Sequence, residues 1–390
     1  MDFETYQKEV KKYDFTADTG LLIPLMGLCG EIGEINSVLK KRYRDRAEYQ
    51  NFSNRLREEL GDALWYLTSV CTHLDFKLAD IANENLRSKK YVSKTHVCKD
   101  FPEYQKKVTK DTPKTKKLSL ISCLSKNAAN LFKIYTETLK SQRNSKKFKN
   151  EMAKEIGDVF WDLANVASAY ELQLEYIAYS NLAKVSDIHA KGGVSHFDKA
   201  FPKKERFPRK FQIKFEEKKT KGKLVVEISQ DGKKVGNELD DNSSEEDNYR
   251  FHDVLHLAYV AILGWSPTMR GLLKHKRKSD PDTDRIQDGA RAIFLEEALS
   301  LYIFNEASKN NLFKDAKSVD LAILKMVKEL TKNLEVKSAS HKQWENAILE
   351  GYKMFRLLVE HKGGVIALDL EKRKITFKKI GGKRASNKRK

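Results

Sequence analysis

From Leu21 to Leu39 apolar residues recur at every third or fourth position, and they do so again from Leu56 to Leu74. That period lines one face of a helix, so the pattern predicts two long helices rather than strands. The polar, basic stretch from Lys40 to Asn54 separates them, and Phe76 to Lys90 predicts a third helix. Beyond residue 210 the pattern changes. Phe211 to Phe215 and Lys223 to Ile228 alternate or carry β-branched residues, and Asp231-Gly232 marks a tight turn after them. Helical spacing resumes over Tyr249 to Leu263, Ala290 to Ala307, Val319 to Leu334 and His341 to Val359, before a closing hairpin predicted from Val365 to Leu370 and Lys374 to Phe377. The expected fold is mainly α, with helical units followed by an α+β C-terminal domain carrying short β-hairpins.

The chain also resembles itself. At an offset of 96 residues, Glu59-Leu60-Gly61-Asp62-Ala63-Leu64-Trp65 lies over Glu155-Ile156-Gly157-Asp158-Val159-Phe160-Trp161, and Asn85-Leu86 lies over Asn181-Leu182. At an offset of 98, Phe3-x-x-Tyr6-Gln7-Lys8-x-Val10 matches Phe101-x-x-Tyr104-Gln105-Lys106-x-Val108. Two related units are therefore expected, 1–96 and 97–194, with a solvated turn at Asp111 to Lys117 before the long helix of the second. Gly192-Gly193, Pro202 and Pro208 predict a linker over 195–210, followed by the α+β domain over 211–379 and a basic tail over 380–390.

Glu31 and Glu34 stand three apart within Leu28-Cys29-Gly30-Glu31-Ile32-Gly33-Glu34-Ile35, so a helix places both carboxylates on one face. Glu59 and Asp62 repeat that geometry on the next helix. An isolated pair of this kind is usually a solvated helix face. Four acids on two packed apolar helices would instead repel one another unless a cation neutralised them, and oxygen ligands select Mg²⁺ or Mn²⁺. Gly30, Gly33 and Gly61 are expected to let the helix backbones approach closely. In the second unit Glu31 becomes Asn127 and Glu34 becomes Asn130, while Glu155 and Asp158 persist. The second unit therefore reads as degenerate.

The ordered set Tyr6-Gln7, Leu28-x-Gly30-Glu31-x-Gly33-Glu34, Leu39-Lys40-Lys41, Glu58-Glu59-Leu60-Gly61-Asp62-Ala63-Leu64-Trp65-Tyr66-Leu67 and Ile81-Ala82-x-x-Asn85-Leu86 resembles the MazG-like all-α nucleoside triphosphate pyrophosphohydrolases. The resemblance covers about 90 residues of the first unit and, more weakly, the second. It implies hydrolysis of a nucleoside triphosphate to the monophosphate and pyrophosphate, with Mg²⁺ held by Glu31, Glu34, Glu59 and Asp62. It further implies that Lys40 or Lys41 and Asn85 lie near the phosphates, that Gln7 approaches the base, and that Glu34 or Glu31 orients the attacking water. Members of this family complete their sites with a neighbouring protomer. The second unit is accordingly expected to act as a covalently attached partner in a pseudodimer, with further homo-oligomers open. The rival expectation is a nucleotide-sensing or nucleic-acid-binding regulator with a non-catalytic domain of this kind.

The third region carries His252-Asp253-Val254-Leu255-His256, with Glu296-Glu297 on a later helix. His252 and His256 fall one turn apart. The run is close to the zincin motif and to the His-Asp pair of the HD phosphohydrolases, and a pair of packed core histidines is the plainer alternative. Asp253, Glu296 and Glu297 could hold a metal, while Lys276, Arg277 and Arg291 could meet phosphates or line a solvated face. On Phe251-His252-Asp253, Leu263-Gly264-Trp265-Ser266-Pro267, Asp288-Gly289-Ala290-Arg291 and Glu296-Glu297 the same region resembles the C-terminal region attached to some MazG-like proteins, which makes a further diverged pyrophosphohydrolase-like unit the third alternative.

Composition narrows the partners. The 390 residues include 74 Lys and Arg against 55 Asp and Glu, a net charge of +19. Counted by region, the net charge is 0 over 1–96, +6 over 97–194 and +13 over 195–390, and the last 20 residues alone contribute +9. The acidic unit is neutral, so the charge says nothing about its chemistry. Any nucleic-acid contact is expected to be weak, salt-sensitive and confined to the linker and tail. The apolar content excludes a disordered chain, and no uninterrupted apolar run reaches the length of a membrane span. Cys29, Cys71, Cys98 and Cys123 form no C-x-x-C pair and read as buried thiols, and Met1-Asp2-Phe3-Glu4 lacks the features of a signal peptide. A cytoplasmic protein without a membrane partner is the expectation.

Overall fold

The computed structural model describes residues 1–380 except 15, 17–18, 47–48, 110–116, 139, 144, 190–195 and 221. The expected turn at 111–116 and the tail beyond 380 thus lie outside the described residues. Two compact units form, Met1–Ser186 and Asp187–Lys390.

The first unit is helical throughout: α1 (Phe3–Lys12), α2 (Leu22–Asp45), α3 (Phe52–His73), α4 (Leu78–Ser88), α5 (Phe101–Val108), α6 (Lys117–Glu137), α7 (Lys146–Ala169) and α8 (Leu174–His189). Helix α2 continues into the stretch expected to separate the first two long helices, as far as Asp45, because Lys and Arg are good helix formers. It stops where Arg46 turns to a φ of 48°. By length and composition α2 would also pass as a membrane span. Here Leu25, Leu28, Ile32, Ile35 and Leu39 are buried in the core of the unit.

Equivalent contacts recur in the two halves of this unit. Asp2 and Asp100 cap α1 and α5, each accepting a backbone N–H three residues on, and the two residues face each other in an antiparallel bridge. Phe3 and Phe101 meet edge to face with ring centroids 4.9 Å apart, and Tyr104 stacks on Phe160 at 4.4 Å. Each fully buried aromatic ring of this kind contributes roughly 1.5–3 kcal/mol. Helix α2 packs on α6 and α4 on α7, so one continuous core joins both halves.

The second unit is an α+β layer. Strands β1 (Lys210–Thr220), β2 (Lys223–Gln230), β3 (Lys233–Lys234), β4 (Gly363–Asp369) and β5 (Lys374–Lys378) form an antiparallel sheet in the order β3-β2-β1-β4-β5. Asp231 and Gly232 both take positive φ in the turn between β2 and β3, which the right-handed twist of a hairpin favours. Helices α9 (Asp253–Leu263), α10 (Pro267–Leu272), α11 (Pro281–Ile286), α12 (Ala290–Ser308), α13 (Leu321–Thr331) and α14 (His341–His361) complete the unit, with α14 packed against α9, β4 and β5.

Two expectations change. The stretch from 196 to 209 is not a loose linker: Phe207 is buried in the core, and the buried Asp198 accepts Phe207 N–H at 2.8 Å and Arg209 Nη2 at 2.8 Å. Its prolines mark turns in a packed segment. Of the four thiols, Cys71 and Cys98 are buried, Cys29 is half-buried and Cys123 is exposed.

Candidate metal centres

Helices α2 and α3 bring Glu31, Glu59 and Asp62 together, with one carboxylate oxygen of each within 4.8 Å of the others. All three are half-buried. Glu34, one turn further along α2, is exposed and stands outside this group. The donors are oxygens only, a set suited to Mg²⁺ or Mn²⁺.

The second half of the unit reaches into this group. Asn181 on α8 donates Nδ2–H to Asp62 Oδ1 at 2.8 Å, and Lys184 forms an ion pair with Asp62 while lying 3.7 Å from Glu58. Tyr6 O–H donates to Asn181 Oδ1 at 3.4 Å, fixing which face of the amide meets the acid. Burial, followed by the charge of Asp62, holds the Tyr6 phenol protonated well above its usual range. Gly61 makes the approach feasible, because a Cβ there would lie 3.0 Å from Asn181 Cβ. A cleft of about 120 Å³ beside Asn181 is lined by Asn54, Arg57, Glu58, Ser180 and Lys184.

The arrangement is mirrored. Asn85 on α4 donates to Asp158 Oδ1 on α7 at 3.2 Å, Tyr104 O–H donates to Asn85 Oδ1 at 3.4 Å, and Lys89 pairs with Asp158 at 2.8 Å. A Cβ at Gly157 would lie 3.1 Å from Asn85 Cβ. In this half Asn127, in the place of Glu31, donates to Asp162 Oδ2 at 2.8 Å. Burial pushes the Asp162 carboxyl up to about 7, and burial with the nearby Asp158 charge also raises Glu155.

Several sequence expectations are corrected by this geometry. Asn85 serves Asp158, not Asp62, because α4 packs on α7; Asn181 takes its place beside Asp62. The Gln7 amide is fully used, donating to Phe76 O at 2.7 Å and Thr72 Oγ1 at 3.3 Å and accepting Leu78 N–H at 2.8 Å, so it fastens α1 to the start of α4 instead of reaching for a base. Lys40 and Lys41 are exposed on α2, about 13–15 Å of helix rise beyond Glu31. Gly30 and Gly33 face open space; only Gly61 of the three sits at a close helix contact. Asn181, Lys184 and Asp162 are the residues the sequence reading missed. Asn181 carried a signal, since it overlies Asn85 in the internal repeat.

In the second unit His252, Asp253 and His256 place ligand atoms within 4.8 Å of one another at the start of α9. All three are buried. His252 Nδ1 meets Tyr249 O at 2.8 Å, and its ring stacks on Tyr249 at 4.3 Å. His256 Nδ1 meets Glu296 Oε1 at 2.9 Å, and the other Glu296 oxygen accepts Thr268 N–H at 2.8 Å. Glu297 on α12 lies against both rings, with Oε2 3.4 Å from His256 Nε2 and 3.9 Å from His252 Nε2. Against its burial, the close contact and charge of His256 bring the Glu297 carboxyl down to about 2.

The expected phosphate ligands of this region separate. Arg277 is buried and saturated, holding Asp288 through Nε at 3.0 Å and Nη2 at 2.6 Å and Glu335 at 2.8 Å, so it fastens the fold and is not available to a phosphate. Arg291 is exposed and Lys276 half-buried.

The chain therefore combines a helical unit carrying an acidic cluster with a helix-covered sheet carrying a His and carboxylate cluster. Residues 193–381 match the MazG C-terminal domain family, so this region is MazG-like. A stretch of 69 residues is 41% identical to the Gene 37 protein of Mycobacterium phage L5, covering 17% of this chain and 60% of that protein. No solved structure matches the chain.

Proposed function

We propose that the chain is a Mg²⁺-dependent nucleotide pyrophosphohydrolase acting at Glu31, Glu59 and Asp62. The observation that carries this reading is the convergence of three half-buried carboxylates on one point, approached by the Lys184 cation. Its MazG-like C-terminal domain agrees with a nucleotide-hydrolase relationship. A bound Mg²⁺ would neutralise triphosphate charge and lower the pKa of water. Lys184 and Arg57, at the adjacent cleft, would bind phosphate oxygens, and Asn181 would hold Asp62 in its ligating orientation. The exposed Glu34 carboxylate would take the proton of a water whose oxygen attacks the α-phosphorus. The bond to the β-phosphate oxygen then breaks, leaving the monophosphate and pyrophosphate.

In this reading the second half of the unit is the built-in partner of the first, and the half with Asn127 and Asn130 carries no activity of its own. The role that follows from this reading is that of a cytoplasmic enzyme of nucleotide-pool control or of stress or phage defence. Assay of the full chain with Mg²⁺ against ribo- and deoxyribonucleoside triphosphates tests it through pyrophosphate release. Tight binding of a triphosphate without release from any of them would instead support a nucleotide sensor.

A further inference from the structure

We propose that the second unit holds one divalent transition-metal ion between α9 and α12, on His252 Nε2, His256 Nε2, Asp253 and Glu297. The site is separate from the acidic cluster of the first unit and does not depend on the activity proposed for it.

The tautomers point the same way. A histidine that ligates through one nitrogen usually donates its other N–H to a carbonyl or carboxylate, which orients the ring. Both rings meet that condition here, His252 Nδ1 against Tyr249 O and His256 Nδ1 against Glu296 Oε1, at 2.8 and 2.9 Å. Both Nε2 atoms are left for a ligand. Glu296 is itself held by Thr268 N–H, so the support extends one residue further.

The spacing also suits an ion. Bonds of about 2.0–2.1 Å at tetrahedral angles place neighbouring donors about 3.3 Å apart. The observed separations are 3.3 Å from His252 Nε2 to Asp253 Oδ1, 3.4 Å from His256 Nε2 to Glu297 Oε2, and 3.9 Å from His252 Nε2 to Glu297 Oε2. His256 is fully buried, and its Nε2 lies 3.4 Å from Glu297 Oε2 without a well-formed hydrogen bond. A buried polar atom without such a bond costs free energy unless something else satisfies it.

Two imidazoles with carboxylates favour the Zn²⁺, Fe²⁺, Co²⁺ and Mn²⁺ group over Mg²⁺ and Ca²⁺, which prefer all-oxygen sets. The Glu297 side chain is 39% exposed while those of His252 and Asp253 are at most 10% exposed. An ion would therefore enter from the Glu297 side, and that side would admit water or a substrate oxygen.

The test is Co²⁺ titration of the chelator-stripped full chain, followed by visible absorption, with Zn²⁺ competition and elemental analysis. It is run on the wild type and on Asp62→Asn, which removes an oxygen ligand from the first unit. Both are expected to take up one equivalent of Co²⁺ with the spectrum of a mixed nitrogen and oxygen set, displaced by Zn²⁺. Glu297→Gln and His252→Asn, both nearer the surface than His256, should weaken uptake at least tenfold with an unchanged circular dichroism spectrum. Absence of stoichiometric Co²⁺ and Zn²⁺ binding by the wild type, or equal binding by folded Glu297→Gln and His252→Asn, would overturn the proposal.

Discussion

Asn181, in the second half of the helical unit, donates its amide to Asp62 in the first half at 2.8 Å. Asn85 does the reverse, serving Asp158 from the first half. The two halves exchange their asparagines, and each acidic helix is completed by the other half.

This exchange separates two variants that sequence alignment would treat alike. Asn181→Ala should lower kcat/KM for triphosphate hydrolysis by about 10- to 100-fold, the range for losing a hydrogen bond to a charged group. Asn85→Ala, whose amide serves Asp158 of the other half, should stay within about threefold of wild type on that kinetic scale. Steady-state kinetics of both variants decides. Equal loss in both would contradict the exchange.

The glycines of the acidic motif should behave differently from one another. Gly61→Ala forces a methyl to 3.0 Å from Asn181 Cβ and 3.5 Å from Ile177 O, an overpacking expected to cost about 1–3 kcal/mol. Gly33→Ala meets open space in mid-helix and should stabilise by up to about 1 kcal/mol. Urea denaturation measures both.

Asp162 should make stability depend on pH. Burial raises its folded-state pKa to about 7, so the folded chain binds the extra proton between about pH 4 and pH 7. Its contribution is therefore full at low pH and is lost as pH rises through that window, by an amount of up to about 4 kcal/mol. Asp162→Asn should gain on the wild type between pH 5 and pH 8, measured by urea denaturation at each pH. A difference that stays constant with pH would refute this.

Arg277→Ala should destabilise the C-terminal unit by about 3–5 kcal/mol, because it strands the fully buried Asp288 without its principal cation. Arg277→Lys should recover little of that loss, since one ammonium cannot meet Asp288 and Glu335 as the forked guanidinium does. Lys276→Ala should change stability by less than about 0.5 kcal/mol. Chemical denaturation followed by tryptophan fluorescence compares the three.

The helical periods and the strand alternation were legible from sequence because each is a local signal. The helices α2, α3, α9, α12 and α14 and both hairpins fall where apolar spacing places them. Helices α10 and α11 were not foreseen, although Ser266-Pro267 and Asp280-Pro281 are N-cap and first-turn pairs. The grouping of Glu31 with Glu59 and Asp62 follows from helix spacing plus one packing contact. The crossing of Asn85 and Asn181 does not, because spacing within one repeat cannot tell which half a side chain meets. Arg277 likewise reads as part of an exposed basic run until the fold buries it against two acids more than ten residues away in sequence.

The most direct test of the central claim is pyrophosphate release from a nucleoside triphosphate by the full chain with Mg²⁺, comparing the wild type with Asp62→Asn and Asp158→Asn. The account predicts one pyrophosphate per triphosphate consumed, release abolished in Asp62→Asn, and release retained in Asp158→Asn. Full release by a folded Asp62→Asn, or loss only in Asp158→Asn, would contradict it.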